Sequence, residues 1–427
     1  MIKPPLANVN GILHIDGVSA VKLAETYGTP LYVIGESKIR ENYRRLAEAF
    51  KRNYGKTRIL YSAKANTNLS ILKILKTEGA WVDVVSTGEI YLALEAGFQP
   101  SQILYTGVSV SEEELSYAFK AGVTINIDSE SQLRKLLRIG VPHTLSVRIN
   151  TEIGAGHHEY TVTASKTSKF GVDEKTALEI YRTARLAGVE KFGIHMHIGS
   201  GILNPDPYIK AAERLLQVAK NIHEVAGVNF EFVDVGGGIG VPYRPDEEEF
   251  DIEGFADKLT VLFKEKIQSC GLGEPELWLE PGRYLVAEST ILLTRVNMVK
   301  QTPYRKFVGV DAGFNVLIRP TMYGSYHHVV VANRLNAEPA EKCDIVGPIC
   351  ESGDFLCRER LLPEVAEGDL IAVLTAGAYG YSMSSQYNSR PRPAEVLVKN
   401  GLHEVIRERE TLQDLLRGQK TASWLNV

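Results

Sequence analysis

The sequence predicts an α/β barrel of eight strand–helix units, a TIM (β/α)8 barrel, followed by an all-β domain. Three observations carry this. Between residues 31 and 285, short apolar β-rich runs alternate with longer amphipathic stretches, the pattern of a parallel sheet. Eight such runs fit within about 250 residues, the usual size of a TIM barrel. After residue 286 the apolar runs crowd together between Gly, Pro and Asp, as they do in all-β folds.

Taken in chain order, residues 1–30 contain GILHIDGVSA, which reads as a hairpin that pairs with the C-terminal β domain. LYVIG (31–35) reads as the lead-in to the first barrel helix, so the barrel is expected over 31–285. Its strands are RILYSAK (58–64), VDVVS (82–86), ILYTG (103–107), TINID (124–128), LSVRIN (145–150), KFGIHMH (191–197), FVDVGGG (232–238) and ELWLEPG (276–282). The helices between them include TNLSILKILKTEG, STGEIYLALEAG, SESQLRKLLRIG and Pro207 to Ala226, several opening on Ser or Thr and closing on Gly, as capped helices do. STILLTRVNMV, KFVGVD, HHVVVANR, KCDIVG, DLIAVLTAG and AEVLVKNG supply the strands of a β-sandwich or barrel over 286–427. The tail HEVIRERETLQDLLRG is expected to be a terminal helix with a solvated charged face.

Composition narrows the function. Among 427 residues, 48 Lys and Arg oppose 52 Asp and Glu, a net charge of −4 with no basic excess, which disfavours nucleic acid or an anionic membrane as partner. No apolar run reaches the roughly 18 residues of a membrane helix. The start, MIKPPLANVNGILHIDG, has no apolar signal-peptide core, and four Cys suit a reducing compartment, so a cytoplasmic protein without a disulfide framework is expected.

TIM barrels carry their chemistry at the C-terminal ends of the strands. Here those ends hold Lys64, Ser86, Asp128, Arg148, Asn150, His197, Gly236 to Gly238 and Glu280. A Lys ending an apolar strand is either a snorkelling surface residue or a desolvated amine ready to form an imine. DVGGGIG after the seventh strand and EPGR after the eighth stand where barrels bind phosphate through backbone N–H groups. A Lys, a phosphate cradle and a buried carboxylate together point to pyridoxal 5'-phosphate (PLP). His195 and His197 alternate and share a face. No Cys or carboxylate at ligand spacing adjoins them, so His197 stacking on a flat cofactor is preferred to a zinc pair and no metal is expected. His157 and His158 read as ordinary loop histidines. Cys343, Cys350 and Cys357 are spaced by seven, which no zinc motif uses; two read as core thiols, and Cys350, in GPICESGD, as an exposed reactive one.

YSAKAN, HIGS, GGGIG, EPGR, DAG, CESGD and AGAYG, in this order, resemble the fold-type III PLP-dependent decarboxylases over nearly the whole chain. Among them the chain most resembles the members that act on diaminopimelate. The resemblance implies a PLP-binding barrel of the alanine-racemase type, a C-terminal β domain and a homodimer with active sites at the interface. It implies Lys64 as the imine-forming lysine and His197 stacked on the ring. Ser200, Gly238, the turn Glu280, Pro281, Gly282 and Arg283, and Tyr379 would surround cofactor and phosphate. Glu280 would face the pyridine nitrogen, where related racemases place Arg. Cys350 from the other subunit would protonate the carbon that loses CO₂. Retention of Lys64 and Cys350 argues against a PLP-binding regulatory homologue without catalysis.

Family members act on diaminopimelate, ornithine, lysine, arginine or carboxylated polyamines. A distal carboxylate suits the Arg fork, and by the resemblance Arg319 and Tyr323, in IRPTMYG, would hold the distal head of meso-diaminopimelate. Arg283 and Tyr379 would assist and Glu351 would take the distal ammonium; ornithine enzymes usually carry Asp there. The expected reaction is therefore decarboxylation of a small amino acid, meso-diaminopimelate, to L-lysine and CO₂, the last step of lysine biosynthesis. GAGHHEYTVTASKTSKFG (154–171) departs from the loop common in the family.

Overall fold

The computed structural model describes residues 2–156, 158 and 163–425. The chain divides into two compact units. One comprises the residues up to Lys38, Tyr243–Pro245 and everything from Glu288 on; the other comprises Ile39–Pro242 and Asp246–Ala287.

The chain begins with β1 (Leu6–Val9), β2 (Ile12–Ile15) and β3 (Val18–Ser19), which form a small antiparallel sheet, then α1 (Ala20–Tyr27), β4 (Leu31–Gly35) and α2 (Glu36–Asn53). The barrel follows. Its strands are β5 (Thr57–Ser62), β6 (Trp81–Val84), β7 (Ile103–Tyr105), β8 (Thr124–Ile127), β9 (Thr144–Arg148), β10 (Lys191–His195), β11 (Phe230–Asp234) and β12 (Glu276–Leu279). All pair in parallel and in sequence order, and β12 closes on β5. Between them run α3 (Leu69–Thr77), α4 (Thr87–Glu95), α5 (Glu112–Ala121), α6 (Glu130–Ile139), α7 (Glu174–Leu186), α8 (Asp206–Ala226) and α9 (Ile252–Ser269), with α10 (Arg283–Val286) after β12. These are the eight strands expected from the apolar runs.

Local chemistry explains the helix starts. Ser86, Ser129 and Asp173 each accept a hydrogen bond from a first-turn backbone N–H, and Ser111 and Glu114 form a reciprocal capping box. Inside the barrel, Leu60, Leu104, Phe232 and Trp278 make an apolar floor, with Phe232 stacked on Trp278 at 3.6 Å between ring centroids. Gly193 makes room for it, because a Cβ there would lie 2.1 Å from the Phe232 ring. Two residues further along, the same alternation turns polar: Ser62, Asp83, Thr106, Arg148, His195, Asp234 and Glu280 are all buried.

The second unit continues with β13 (Thr290–Gln301), β14 (Lys306–Val310), α11 (Arg319–Tyr323), β15 (Val329–Val331), β16 (Glu341–Val346), β17 (Phe355–Leu362), β18 (Leu370–Val373), β19 (Ala394–Lys399) and β20 (Leu402–Arg407). With β4 they make one sheet in the order β17-β16-β14-β13-β4-β19-β20, with β18 on β13 and β15 on β18. Leu13 and Ile15 of β2 join its core, and the Leu13 N–H donates to the Ala332 carbonyl at 2.8 Å.

Two expectations are corrected. LYVIG is no lead-in to the barrel: as β4 it lies between β13, antiparallel, and β19, parallel. Tyr32 joins one core cluster while Leu31 and Val33 join another, so both faces are covered and the run is continuously apolar. The boundary therefore falls after Lys38 rather than at residue 31. The expected terminal helix is also absent from the described residues. Asn400 (φ 49°) and Gly401 (φ 84°) turn the chain back, and Leu402–Arg407 pairs with β19 as a hairpin, the strong preference of an Asn-Gly pair between alternating runs.

Candidate active site

The polar mouth of the barrel is built at the strand ends. Lys64 follows β5 in a single 3₁₀ turn, and its Nζ donates to Asp83 Oδ2 at 2.8 Å. Asp83, on β6, is buried and also accepts from the hydroxyls of Ser62 and Thr106. Asp83 aligns the amine rather than leaving its long chain to roam. Across the barrel, His197 follows β10. Its Nδ1 accepts the Gly237 N–H at 3.1 Å, so the ring proton sits on Nε2. Loss of water around the ring, followed by the charges of Arg148, Lys64 and His195, lowers the His197 pKa well below the usual imidazole range, and the ring is neutral.

Glu280 is buried at the end of β12. His195 Nε2 donates to its Oε2 at 3.2 Å, while its Oε1 meets no hydrogen-bond partner among the described residues. Burial alone raises the carboxyl pKa, yet His195, Lys64 and Arg148 outweigh it and the net direction is downward, so Glu280 is ionised. Asp234 beside it goes the other way: burial, then the Glu280 charge, pushes it well above the carboxylate range.

Two glycine-bearing turns complete the rim. Gly236 (φ 73°) and Gly238 (φ 120°) occupy left-handed backbone, and a Cβ at Gly236 would lie 2.2 Å from the Met196 carbonyl oxygen. Tyr208 of α8 donates one hydroxyl between the Gly236 and Gly237 carbonyls at 2.6 and 2.8 Å, fixing that turn. From the turn after β12, Arg283 reaches Ser200 Oγ at 3.0 Å. An amine, a buried anion with an unsatisfied oxygen, a neutral imidazole and a glycine turn flanked by Arg and Ser fit PLP.

Lys64, His197, Ser200, Gly238 and Glu280 to Arg283 thus all belong to the barrel unit. The remaining candidates, Arg319, Tyr323, Cys350, Glu351 and Tyr379, belong to the sheet unit. Arg319 opens α11 and is 1% exposed; its guanidinium meets His327 Nε2 at 2.8 Å, Ser325 Oγ at 3.3 Å and the Tyr243 ring face at 4.7 Å. His327 Nδ1 lies 3.0 Å from the Leu374 carbonyl, which only accepts, so Nε2 receives the Arg319 N–H. Tyr323, at the end of α11, is half-buried. In the CESGD loop, Asp354 accepts from the Phe314 and Ile349 N–H groups, both at 2.6 Å, and this anchors a turn that exposes Cys350. Glu351 accepts from the Tyr387 hydroxyl. Tyr379 has φ 58°, a rare conformation for a side-chain-bearing residue. Cys343 and Cys357 are core thiols pushed up to about 12 and about 11 by burial. His157 and residues 159–162, in the middle of the 154–171 loop, lie outside the described residues.

The chain matches the family model described as pyridoxal-dependent decarboxylase, pyridoxal binding domain, over residues 36–287. It is 57% identical to the diaminopimelate decarboxylase of Methanothermobacter thermautotrophicus over 98% of each chain. The chain belongs to the diaminopimelate decarboxylase family. Two solved members of this family carry L-lysine. The M. jannaschii enzyme is 34% identical with a TM-score of 0.90, covering 98% of both chains. The Helicobacter pylori enzyme is 39% identical with a TM-score of 0.86, covering 93% of this chain and 98% of that one. As a family member, the chain is a PLP-dependent carboxy-lyase.

Sequence reasoning missed Asp83, Thr106, Tyr208 and the role of Asp234. The signal for the two acids was present: a carboxylate at an alternate position in VDVV and FVDV has no partner unless the barrel interior supplies one. No metal ligand spacing adjoins His195 in sequence, yet folding brings Asp234 and Glu280 within 4.8 Å of it.

Proposed function

We propose that this protein decarboxylates meso-diaminopimelate to L-lysine and CO₂, using PLP held in the barrel mouth. The observation that carries the cofactor reading is the buried Glu280 carboxylate with an unsatisfied oxygen, in a barrel mouth that also offers the Lys64 amine. When bound, PLP supplies the electron sink for the pair left behind as CO₂ departs. Lys64 would hold the cofactor through its amine, which Asp83 orients. Glu280 keeps a proton on the ring nitrogen. His197, neutral, would pack against the ring face. Ser200, Arg283 and the Gly238 N–H would hold the phosphate.

Arg319 and Tyr323 take the distal carboxylate of the substrate, with Glu351 on the distal ammonium and Arg283 and Tyr379 assisting. The buried guanidinium of Arg319 favours a substrate with a distal carboxylate over ornithine, lysine or arginine. Cys350 delivers a proton to the carbon that has lost CO₂. The working form is a cytoplasmic homodimer in which Cys350 and Lys64 of one site come from different copies of the chain. CO₂ release from meso-diaminopimelate, L-ornithine, L-lysine, L-arginine and carboxynorspermidine tests this. Turnover of the first is expected; preference for any other overturns the substrate assignment, and PLP uptake with no CO₂ from any of them overturns the reaction.

A further inference from the structure

His195, Asp234 and Glu280 come from three consecutive barrel strands or their ends. His195 and Asp234 are register partners across β10 and β11, and the Glu280 N–H donates to the Gly236 carbonyl at 3.0 Å. All three side chains are at most 2% exposed. Two carboxyls and an imidazole in such a space leave few places for charge. Asp234 Oδ1 accepts the Gly236 N–H at 2.8 Å, and its Oδ2 is buried with no N–H or O–H donor among the described residues. Were both acids ionised, two anions would share one dry site. A proton on Asp234 removes one charge and turns Oδ2 into a donor towards Glu280, which agrees with the upward push on Asp234 and the downward one on Glu280.

We propose that His195 and Asp234 are positioning residues that place the negative charge of this cluster on Glu280, His195 through its Nε2–H and Asp234 as a neutral acid. A carboxylate has acceptor sites enough for both donors and for a ring N–H as well. The two donors hold Glu280 in one rotamer and keep it from being neutralised, and so keep the ring nitrogen protonated. Arg148, in register with His195 on β9, and Lys64 add positive charge that favours the same distribution. This rests on the PLP reading above.

The test compares PLP with 1-deaza-PLP, in which a carbon replaces the ring nitrogen, by equilibrium dialysis with apoprotein. Wild type is expected to prefer PLP. In His195→Leu and Asp234→Leu, PLP affinity should fall about tenfold, the size of one lost charge-assisted hydrogen bond, while deaza-PLP affinity stays put. His195→Gln and Asp234→Asn keep an N–H in each place and should restore the preference. In ¹⁵N-labelled PLP holoprotein, the ring-nitrogen signal should move towards the unprotonated position only in the Leu variants. Equal loss of both cofactors would reduce the pair to a structural role. Asp234→Asn behaving like Asp234→Leu would show that Asp234 acts as an anion. A metal ion stoichiometric with wild-type subunits and lost in His195→Leu would make the trio a metal site. Each of these overturns the proposal. Should wild type itself show no preference for PLP, the ring-nitrogen role of Glu280 fails first.

Discussion

Lys64 Nζ stands 2.8 Å from Asp83 Oδ2, and that carboxylate is wholly enclosed by the barrel while the lysine keeps about a third of its side chain exposed. The amine is thus tied down by a group that solvent cannot reach. Lys64→Ala should abolish covalent PLP attachment and turnover, since only an amine can form the bond. Borohydride trapping followed by the visible spectrum reads this out, and covalent PLP in Lys64→Ala would remove Lys64 from its role. Asp83→Ala should leave the bond intact but lower kcat/KM by roughly 10- to 150-fold, the effect of losing a hydrogen bond to a charged group.

Arg319→Lys keeps the charge but loses the planar grip. The expected loss is about 2 to 3 kcal/mol in kcat/KM for meso-diaminopimelate, or roughly 30- to 150-fold, with PLP affinity unchanged. Because His327 receives an Arg319 N–H, His327→Phe should shift kcat/KM in the same direction by a smaller factor. Unchanged steady-state kinetics in Arg319→Lys would place the distal carboxylate elsewhere.

The lowered pKa of His197 fixes the sign of a stability effect. Below about pH 6.5 the unfolded chain binds a proton that the native ring refuses. The contribution is therefore complete above that pH and is lost as pH falls towards the depressed native value. His197→Phe cannot titrate, so its stability should decline less steeply below pH 6.5, by up to about 1.4 kcal/mol per pH unit. Urea titrations of both apoproteins from pH 7.5 to 5 measure it; parallel curves would mean that His197 is protonated in the folded state.

Gly237→Ala would place a Cβ 2.0 Å from the Glu280 carbonyl oxygen, backbone that cannot swing away. A destabilisation of about 1 to 3 kcal/mol is expected, with weaker PLP binding, measured by thermal unfolding and dialysis. Full cofactor affinity in this variant would show that the turn is not pressed against β12.

A mixed dimer of Lys64→Ala and Cys350→Ala tests the shared site. If the two residues of one site come from different chains, each mixed dimer holds one intact site. Random exchange makes half the dimers mixed, so activity should return to about a quarter of wild type. No recovery despite confirmed exchange would place both residues of a site in one chain.

The barrel was legible because its eight strands are short apolar runs separated by capped helices, and a parallel sheet covered on both faces leaves that mark. Lys64, His197 and Glu280 were legible because the architecture says where strand ends go. LYVIG was misread for the same reason that the barrel was read correctly: a central strand of the other sheet is equally apolar. The C-terminal hairpin was hidden by charges at helical spacing, although Asn400-Gly401 signalled it. Asp83 and Asp234 were passed over as strand interior, since only the closed barrel shows that such positions face one another.

β4 has consequences for synthesis on the ribosome. Its two neighbours begin at Thr290 and Ala394, so a nascent chain carries LYVIG, with both long edges open, through production of the entire barrel. Apart from the closure of β12 on β5, the barrel's strand pairs join successive strands and can form early, whereas the sheet waits for the last strands to emerge. A transcript cut before residue 394 would release a chain in which β4, buried at all five positions in the complete fold, is exposed along one side, a template for pairing with another copy of itself.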